Sequence, residues 1–288
     1  MPQDVFGGLS LAGGKRRGTS LVLISLDDQN SKLTITDIFG NLGPTTTQSS
    51  DQVLLRVINK RGDHPSILGI NAPLSLPPCI TCQLPWCPGH ETCKVNSIEW
   101  MRDAYLRLSK IHKNAKKTLP YTERPIELFL RQTSPFWLDI PGAYGANISP
   151  LSARVQYLKR HITTETKLIE VLPRLTYYAL APTLDLSNES ARYYKEPEDG
   201  SSYRSKFLQS FKEKYSLFIN KRDIELITLN PPTFDAFLAA ITAHFFHLGL
   251  CEAPPANFPD YEGWVCYPKN NIDHLYETAS VKIAIESN

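Results

Sequence analysis

The stretch from Val5 to Asn71 constrains this chain most, because its hydrophobic period changes twice within it. Val5 to Ala12, Ser20 to Leu26 and Lys32 to Phe39 are apolar or alternating, as strands are, and Gly13-Gly14-Lys15-Arg16-Arg17-Gly18 and Asp27-Asp28-Gln29-Asn30 between them are turn chemistry. They predict an antiparallel meander. From Asp51 to Lys60, Val53, Leu54, Leu55, Val57 and Ile58 fall at helical spacing, with Ser49, Ser50 or Asp51 as N-cap and Gly62 as stop. Ser66 to Asn71 is then a short unbroken apolar run, which suits a strand covered on both faces and joined in parallel to the first through that helix. Three strands, a helix and a buried strand imply an α/β fold with a mixed sheet.

The rest of the chain is harder to read. Helices are expected from about Ile98 to Ile111, from Pro150 to Arg160, from Ser201 to Tyr215 as an exposed charged helix, and from Pro231 to Leu250. Ile126 to Leu130 reads as a strand or the start of a helix, and Leu168 to Leu172 as a second short buried strand. The Pro231–Leu250 segment contains the longest apolar stretch, but Asp235, His244, His247 and Gly249 interrupt it and it falls short of the roughly 20 residues of a membrane span, so it reads as a core helix. Hydrophobic residues at 42%, with 12 Phe and 13 Tyr, supply enough side chain for a sizeable core. We therefore expect one domain over residues 1–288, with a Cys-rich insertion at 77–96 and a mobile, Ser- and Glu-rich insertion at 188–202. The opening residues have neither the basic nor the apolar part of a signal peptide, so a cytoplasmic protein away from membranes is expected, in an oligomeric state the sequence leaves open.

Cys79, Cys82, Cys87 and Cys93, four of the six cysteines, stand in a single loop. A close pair followed by two wider gaps resembles zinc-knuckle spacing, in which thiolates satisfy a soft tetrahedral ion. His90 is an alternative to Cys93, and an iron–sulfur cluster would also accept four cysteines. Two disulfides suit an oxidising compartment, for which the sequence gives no sign. Cys251 and Cys266 read as core residues. His244 and His247 lie at helical spacing, where a satisfied core histidine is commoner than a ligand.

Several short strings carry a resemblance. Gly8-Leu9-Ser10-Leu11-Ala12-Gly13 before Thr19, Gly69-Ile70-Asn71-Ala72-Pro73-Leu74, Tyr121-Thr122-Glu123-Arg124-Pro125-Ile126-Glu127, Pro150-Leu151-Ser152-Ala153-Arg154, Glu170-Val171-Leu172-Pro173, Asp235-Ala236 and Glu262-Gly263-Trp264 follow one another along most of the chain. Together they resemble a bacterial family of uncharacterised proteins predicted to be ribonuclease-H-like nucleases. The resemblance implies a ribonuclease-H-like mixed sheet flanked by helices, and a cleft in which clustered carboxylates hold two magnesium or manganese ions for phosphodiester hydrolysis. That family has Asp where this chain has Ser10 and Asn71, so two anionic ligands are replaced by neutral oxygens. Glu127, Glu170 and Asp235 match the remaining acidic positions. Each also has a plainer reading: Glu127 as a surface ion pair with Arg124 or Arg131, Glu170 as an ordinary strand-end acid, Asp235 as a first-turn acid favoured by the helix dipole.

The net charge of +2 is too small to attract polyanions in general, so any nucleic acid must be held locally. Lys15, Arg16 and Arg17 in the first turn, the run Lys110, His112, Lys113, Lys116 and Lys117, and the planar forks of Arg124 and Arg154 are the candidates for phosphate contacts. Three functions follow: a metal-dependent nuclease with a partly degenerate site, an inactive nucleic-acid- or protein-binding protein on the same scaffold with a zinc loop, or an enzyme acting on another phosphate-containing molecule.

Overall fold

The computed structural model describes residues 4–13, 18–27, 32–60, 64–111, 117–259, 262–270, 272 and 276. Six strands, β1 (Val5–Ser10), β2 (Thr19–Asp27), β3 (Lys32–Leu42), β4 (Ile67–Asn71), β5 (Lys167–Val171) and β6 (Val265–Cys266), form one sheet in the order β3-β2-β1-β4-β5-β6. The first three pair antiparallel, and β1, β4, β5 and β6 run parallel. This is the mixed sheet expected from the opening pattern. Its helices are α1 (Ser50–Ile58), α2 (Pro78–Thr81), α3 (Asn96–Ile111), α4 (Pro125–Thr133), α5 (Ser149–Leu158), α6 (Pro173–Leu180), α7 (Ser190–Tyr193), α8 (Gly200–Lys214), α9 (Lys221–Leu229) and α10 (Pro231–His247). Among the described residues no helix is long and apolar enough to cross a membrane.

Two apolar layers sandwich the sheet. Leu9, Leu68 and Ile70 face α1 and α5, meeting Leu54, Ile58, Val155 and Leu158. Phe6, Ile67, Ile169 and Val171 face the opposite side, against α6, α8 and α10. Helix α1 begins as its sequence dictates, with Ser49 and Gln52 forming a reciprocal capping box. Gly62, its expected stop, lies outside the described residues, and the helix ends at Ile58.

The longest helix lies unusually close to the sheet. At Gly8 a Cβ would stand 2.0 Å from the Ala236 carbonyl oxygen, and at Gly69 it would stand 2.5 Å from that of Ala239. Two glycines on neighbouring strands and the small residues Ala236, Ala239 and Ala240 thus let α10 settle directly on β1 and β4. A Ser20–Thr233 hydroxyl contact of 3.2 Å fixes its first turn to β2. This seating brings Asp235 beside the end of β4.

Several expectations need correction. Residues 126–130 belong to helix α4, which Pro125 starts and the buried Ile126, Leu128 and Leu130 anchor. Helix α8 is not simply exposed, since Arg204, Phe207, Leu208 and Phe211 are buried along one face. Residues 188–202 contain helix α7 and the fully buried Ala191 and Tyr194, contacts that tie this segment to the core where a mobile insertion was expected. Helices α6 and α9 and strand β6 were not anticipated.

Candidate functional site

The parallel strands end along one edge of the sheet, where α/β folds commonly place ligands. There a cleft of about 340 Å³ is lined by Asn71, Arg124, Glu127, Glu170, Arg174 and Lys195, among others. Ser10 and Asn71 are register partners at the ends of β1 and β4. Asp235 reaches them from α10, with the Asn71 amide 3.5 Å from its carboxylate. So four distant positions, 10, 71, 170 and 235, do share one rim, but not one face. Strand alternation puts Ser10 and Asn71 on the α10 side with Gly8 and Gly69, whereas Glu170 shares the face of Leu168 and pairs with Ile70, whose side chain meets α1 and α5.

The acids consequently form two groups. On one side Arg124 is clamped between Glu127 and Glu170: Nε donates to Glu127 at 2.8 Å, Nη2 to Glu127 at 2.5 Å and to Glu170 at 2.6 Å, Nη1 to Glu170 at 2.8 Å and to the Ser75 hydroxyl at 2.9 Å. A guanidinium has five N–H donors, and all five are spent. The backbone closes the remaining gaps, with Leu74 N–H on Glu170 at 2.7 Å and Arg124 N–H on Glu127 at 2.5 Å, where Glu127 caps α4 from its third position. All three side chains are almost wholly inaccessible. Burial works against the Arg124 charge, yet the two carboxylates hold its pKa above the ordinary value. For Glu127 burial dominates and pushes its carboxyl up to about 7, against the pull of Arg124. The sequence pairing of Glu127 with Arg124 was right, but the pair is internal rather than on the surface, and Arg124 has no donor left for a phosphate.

The other group is more open. Asp235 accepts the Tyr194 hydroxyl at 2.8 Å and the Lys195 ammonium at 2.6 Å. It stands beyond the first turn of α10, which Asn230 caps and Pro231 and Pro232 begin, so the dipole reading of Asp235 does not apply. Burial, and then the Asp235 charge, hold the Tyr194 hydroxyl well above its usual range. Lys195 was missed from the sequence because its segment read as an insertion; the signal lay in Tyr193-Tyr194, an aromatic pair inside otherwise polar text. Arg174, on the first turn of α6, lines the same cleft, and its Nε is buried with no hydrogen-bond partner among the described residues.

No family model, curated protein or solved structure matches this chain. The site therefore has to be read from its own chemistry.

Other expected contacts lie elsewhere. Arg154 spends its fork on Asp51, the Ala12 carbonyl and the Thr19 hydroxyl, so it ties α5 to the start of α1 and the β1–β2 turn instead of holding phosphate. Lys15, Arg16 and Arg17, with His112, Lys113 and Lys116, lie outside the described residues. His244 is buried in the core, where burial and then His247 push its pKa down to about 3.

The cysteine loop forms a separate feature. Cys79, Cys82, Cys87, Cys93, His90 and Glu262 line a cavity of about 650 Å³. Arg102 fastens the loop by donating to the carbonyls of His90 and Cys93 at 2.6 and 2.7 Å. Burial, followed by the other three thiols, raises the Cys79 pKa. Among the described residues no three Cys, His, Asp or Glu side chains stand grouped as metal ligands. A metal would therefore have to draw the sulfurs inward. Cys266 and Cys251 sit apart from the loop as free thiols, both shifted upward by burial.

Proposed function

We propose that this protein has a ribonuclease-H-like scaffold and binds nucleic acid without hydrolysing it. One observation carries the absence of hydrolysis: Arg124 occupies the place between Glu127 and Glu170 that a divalent ion would need, and it uses every donor to do so. A two-ion nuclease needs converging carboxylates with open coordination positions. Here two of the three candidate acids are saturated by one cation, and the third, Asp235, is engaged by Lys195 and lies with the opposite face's residues. The donor set does not fit a pair of magnesium or manganese ions. Support for the scaffold comes from the strand order β3-β2-β1-β4-β5, antiparallel then parallel, and from Ser10 and Asn71 standing where the resembling family carries aspartates.

A nuclease remains the second reading, favoured by the contact of Asn71 with Asp235 beside Ser10. The two separate on incubation of purified protein with single- and double-stranded DNA and RNA in Mg²⁺ or Mn²⁺. Binding without cleavage is expected, with cleavage emerging in the Ser10→Asp, Asn71→Asp double variant. Metal-dependent cleavage by the unaltered protein that disappears in Asp235→Asn would reverse the assignment.

The cysteine loop supports a zinc ion as a structural cofactor, with an iron–sulfur cluster as the less favoured occupant. Four thiols around one cavity suit a soft tetrahedral ion. Elemental analysis of anaerobically purified protein should find close to one zinc per chain, and the absence of both zinc and iron would remove this part of the proposal.

A further inference from the structure

The two ends of the cleft differ in sign. At the Arg124 end one guanidinium faces two carboxylates, and exposed Asp139 lies on the neighbouring wall. At the α6 end two cations, Lys195 and Arg174, line the cleft; Lys195 pairs with Asp235 behind it, and the Arg174 charge is felt at the Tyr194 hydroxyl that Asp235 also holds. That end has donors to offer. The Lys195 ammonium has three N–H groups and directs one to Asp235, while its side chain stays 36% exposed. The Arg174 Nε is buried without a partner among the described residues, a costly arrangement unless an acceptor arrives. Helix α6 begins at the cleft with Pro173 and Arg174 in its first turn and no side-chain cap, so the positive end of its dipole opens there, beside Leu172. The Asn71 amide lines the same cavity.

We infer that the α6 end of the cleft is a phosphate-binding subsite, in which Lys195 and Arg174, at the N-terminus of α6, hold a phosphoryl or phosphodiester group. This rests on reading the cleft as the nucleic-acid site, and it gives that reading an anchoring point. Arg174 would supply a planar fork and Lys195 a point charge, complementary ways of holding one tetrahedral anion. Asp235 and Tyr194 act behind them as positioning residues, setting the ammonium at the cleft wall. The resembling family's acidic positions do not identify this subsite, because neither cation belongs to them.

Calorimetric titration with inorganic pyrophosphate and with a short single-stranded oligothymidylate tests both the subsite and its ligand. Each probe is expected to bind the unaltered protein, and Lys195→Met and Arg174→Met should each weaken binding at least tenfold. Lys206→Met, on exposed α8 surface away from the cleft, should leave affinity unchanged. Lys195→Arg keeps the charge and should bind within a few fold of the original, which separates loss of charge from loss of fold; thermal unfolding of each variant completes that control. Oligonucleotide binding that neither Met variant weakens would overturn the subsite while leaving the nucleic-acid reading intact. Pyrophosphate binding that depends on both residues, with no oligonucleotide binding, would support the subsite and overturn the nucleic-acid reading in favour of a small phosphoester. If neither probe binds, both fall.

Discussion

Two ionic clusters only a strand apart in the sheet are built to opposite specifications. Around Arg124 every donor is matched internally and the side chains are almost wholly inaccessible, whereas beside Asp235 the Lys195 side chain is partly exposed, and the Arg174 Nε of the same cleft is unmatched among the described residues. The comparison teaches that the number of acids near a cleft says little about what the cleft can hold. What decides is which of them still have unused valence. A saturated ion cluster serves the fold, joining α4 to β5 and to the loop after β4, and an unsaturated one is available to a ligand.

The largest expected effect breaks the saturated cluster. Arg124→Met leaves Glu127 and Glu170 buried without their shared cation, and removal of one partner from such a group typically costs about 3 to 5 kcal/mol. Chemical denaturation should show a loss of that size. A loss below about 1 kcal/mol would mean that the cluster is hydrated and open like its neighbour, and the contrast would fail.

The second effect sharpens the contrast through pH. The Glu127 carboxyl in the folded protein sits near 7, above its ordinary 4.5, so the folded state binds the proton more tightly than the unfolded chain. Stability from this group is fully present below pH 4.5 and is lost as pH rises through 7, by roughly 3 kcal/mol in all. Glu127→Gln cannot titrate. It keeps one acceptor oxygen and replaces the other with an NH2 group, a loss that does not itself titrate, and its unfolding free energy should fall less steeply between pH 4.5 and 7 than that of the unaltered protein. Parallel profiles would show that Glu127 stays ionised throughout.

How much of this was legible in the sequence follows from how local each signal is. The meander, α1 and the buried strand β4 could be read because their periods and caps lie within a few residues, as in Ser49 and Gln52. The shared rim of Ser10, Asn71 and Asp235 has no local signal of its own and was expected only from the resemblance. The partition of the acids was not. Whether Glu170 sits on the same face as Asn71 depends on a register of one residue between β4 and β5, and nothing local to Lys167–Val171 records it. Nor does composition show that Arg124 meets an acid 46 positions away, or that polar residues 188–202 fold so that Tyr194 is buried and Lys195 meets a carboxylate 40 positions on. The seating of α10 lies between these cases: Gly8, Gly69 and the alanines are visible as small residues, but their common purpose appears only once the strands are aligned.

The smallest expected effect is the most discriminating between the two clusters. Lys195→Met removes the cation from Asp235, the same operation in kind as Arg124→Met, yet the Lys195 side chain is 36% exposed and so the pair is far more screened. The carboxylate keeps the Tyr194 hydroxyl, and the Asn71 amide is near enough to tighten onto it. A partly exposed ion pair of this kind contributes about 0 to 1 kcal/mol and an ammonium over an aromatic ring, as Lys195 Nζ stands over Tyr194, about as much again, so unfolding free energy should fall by no more than about 2 kcal/mol. A loss of 3 kcal/mol or more would place Lys195 in the same structural role as Arg124. The cleft would then be sealed at both ends, and its chemistry would belong to the fold alone.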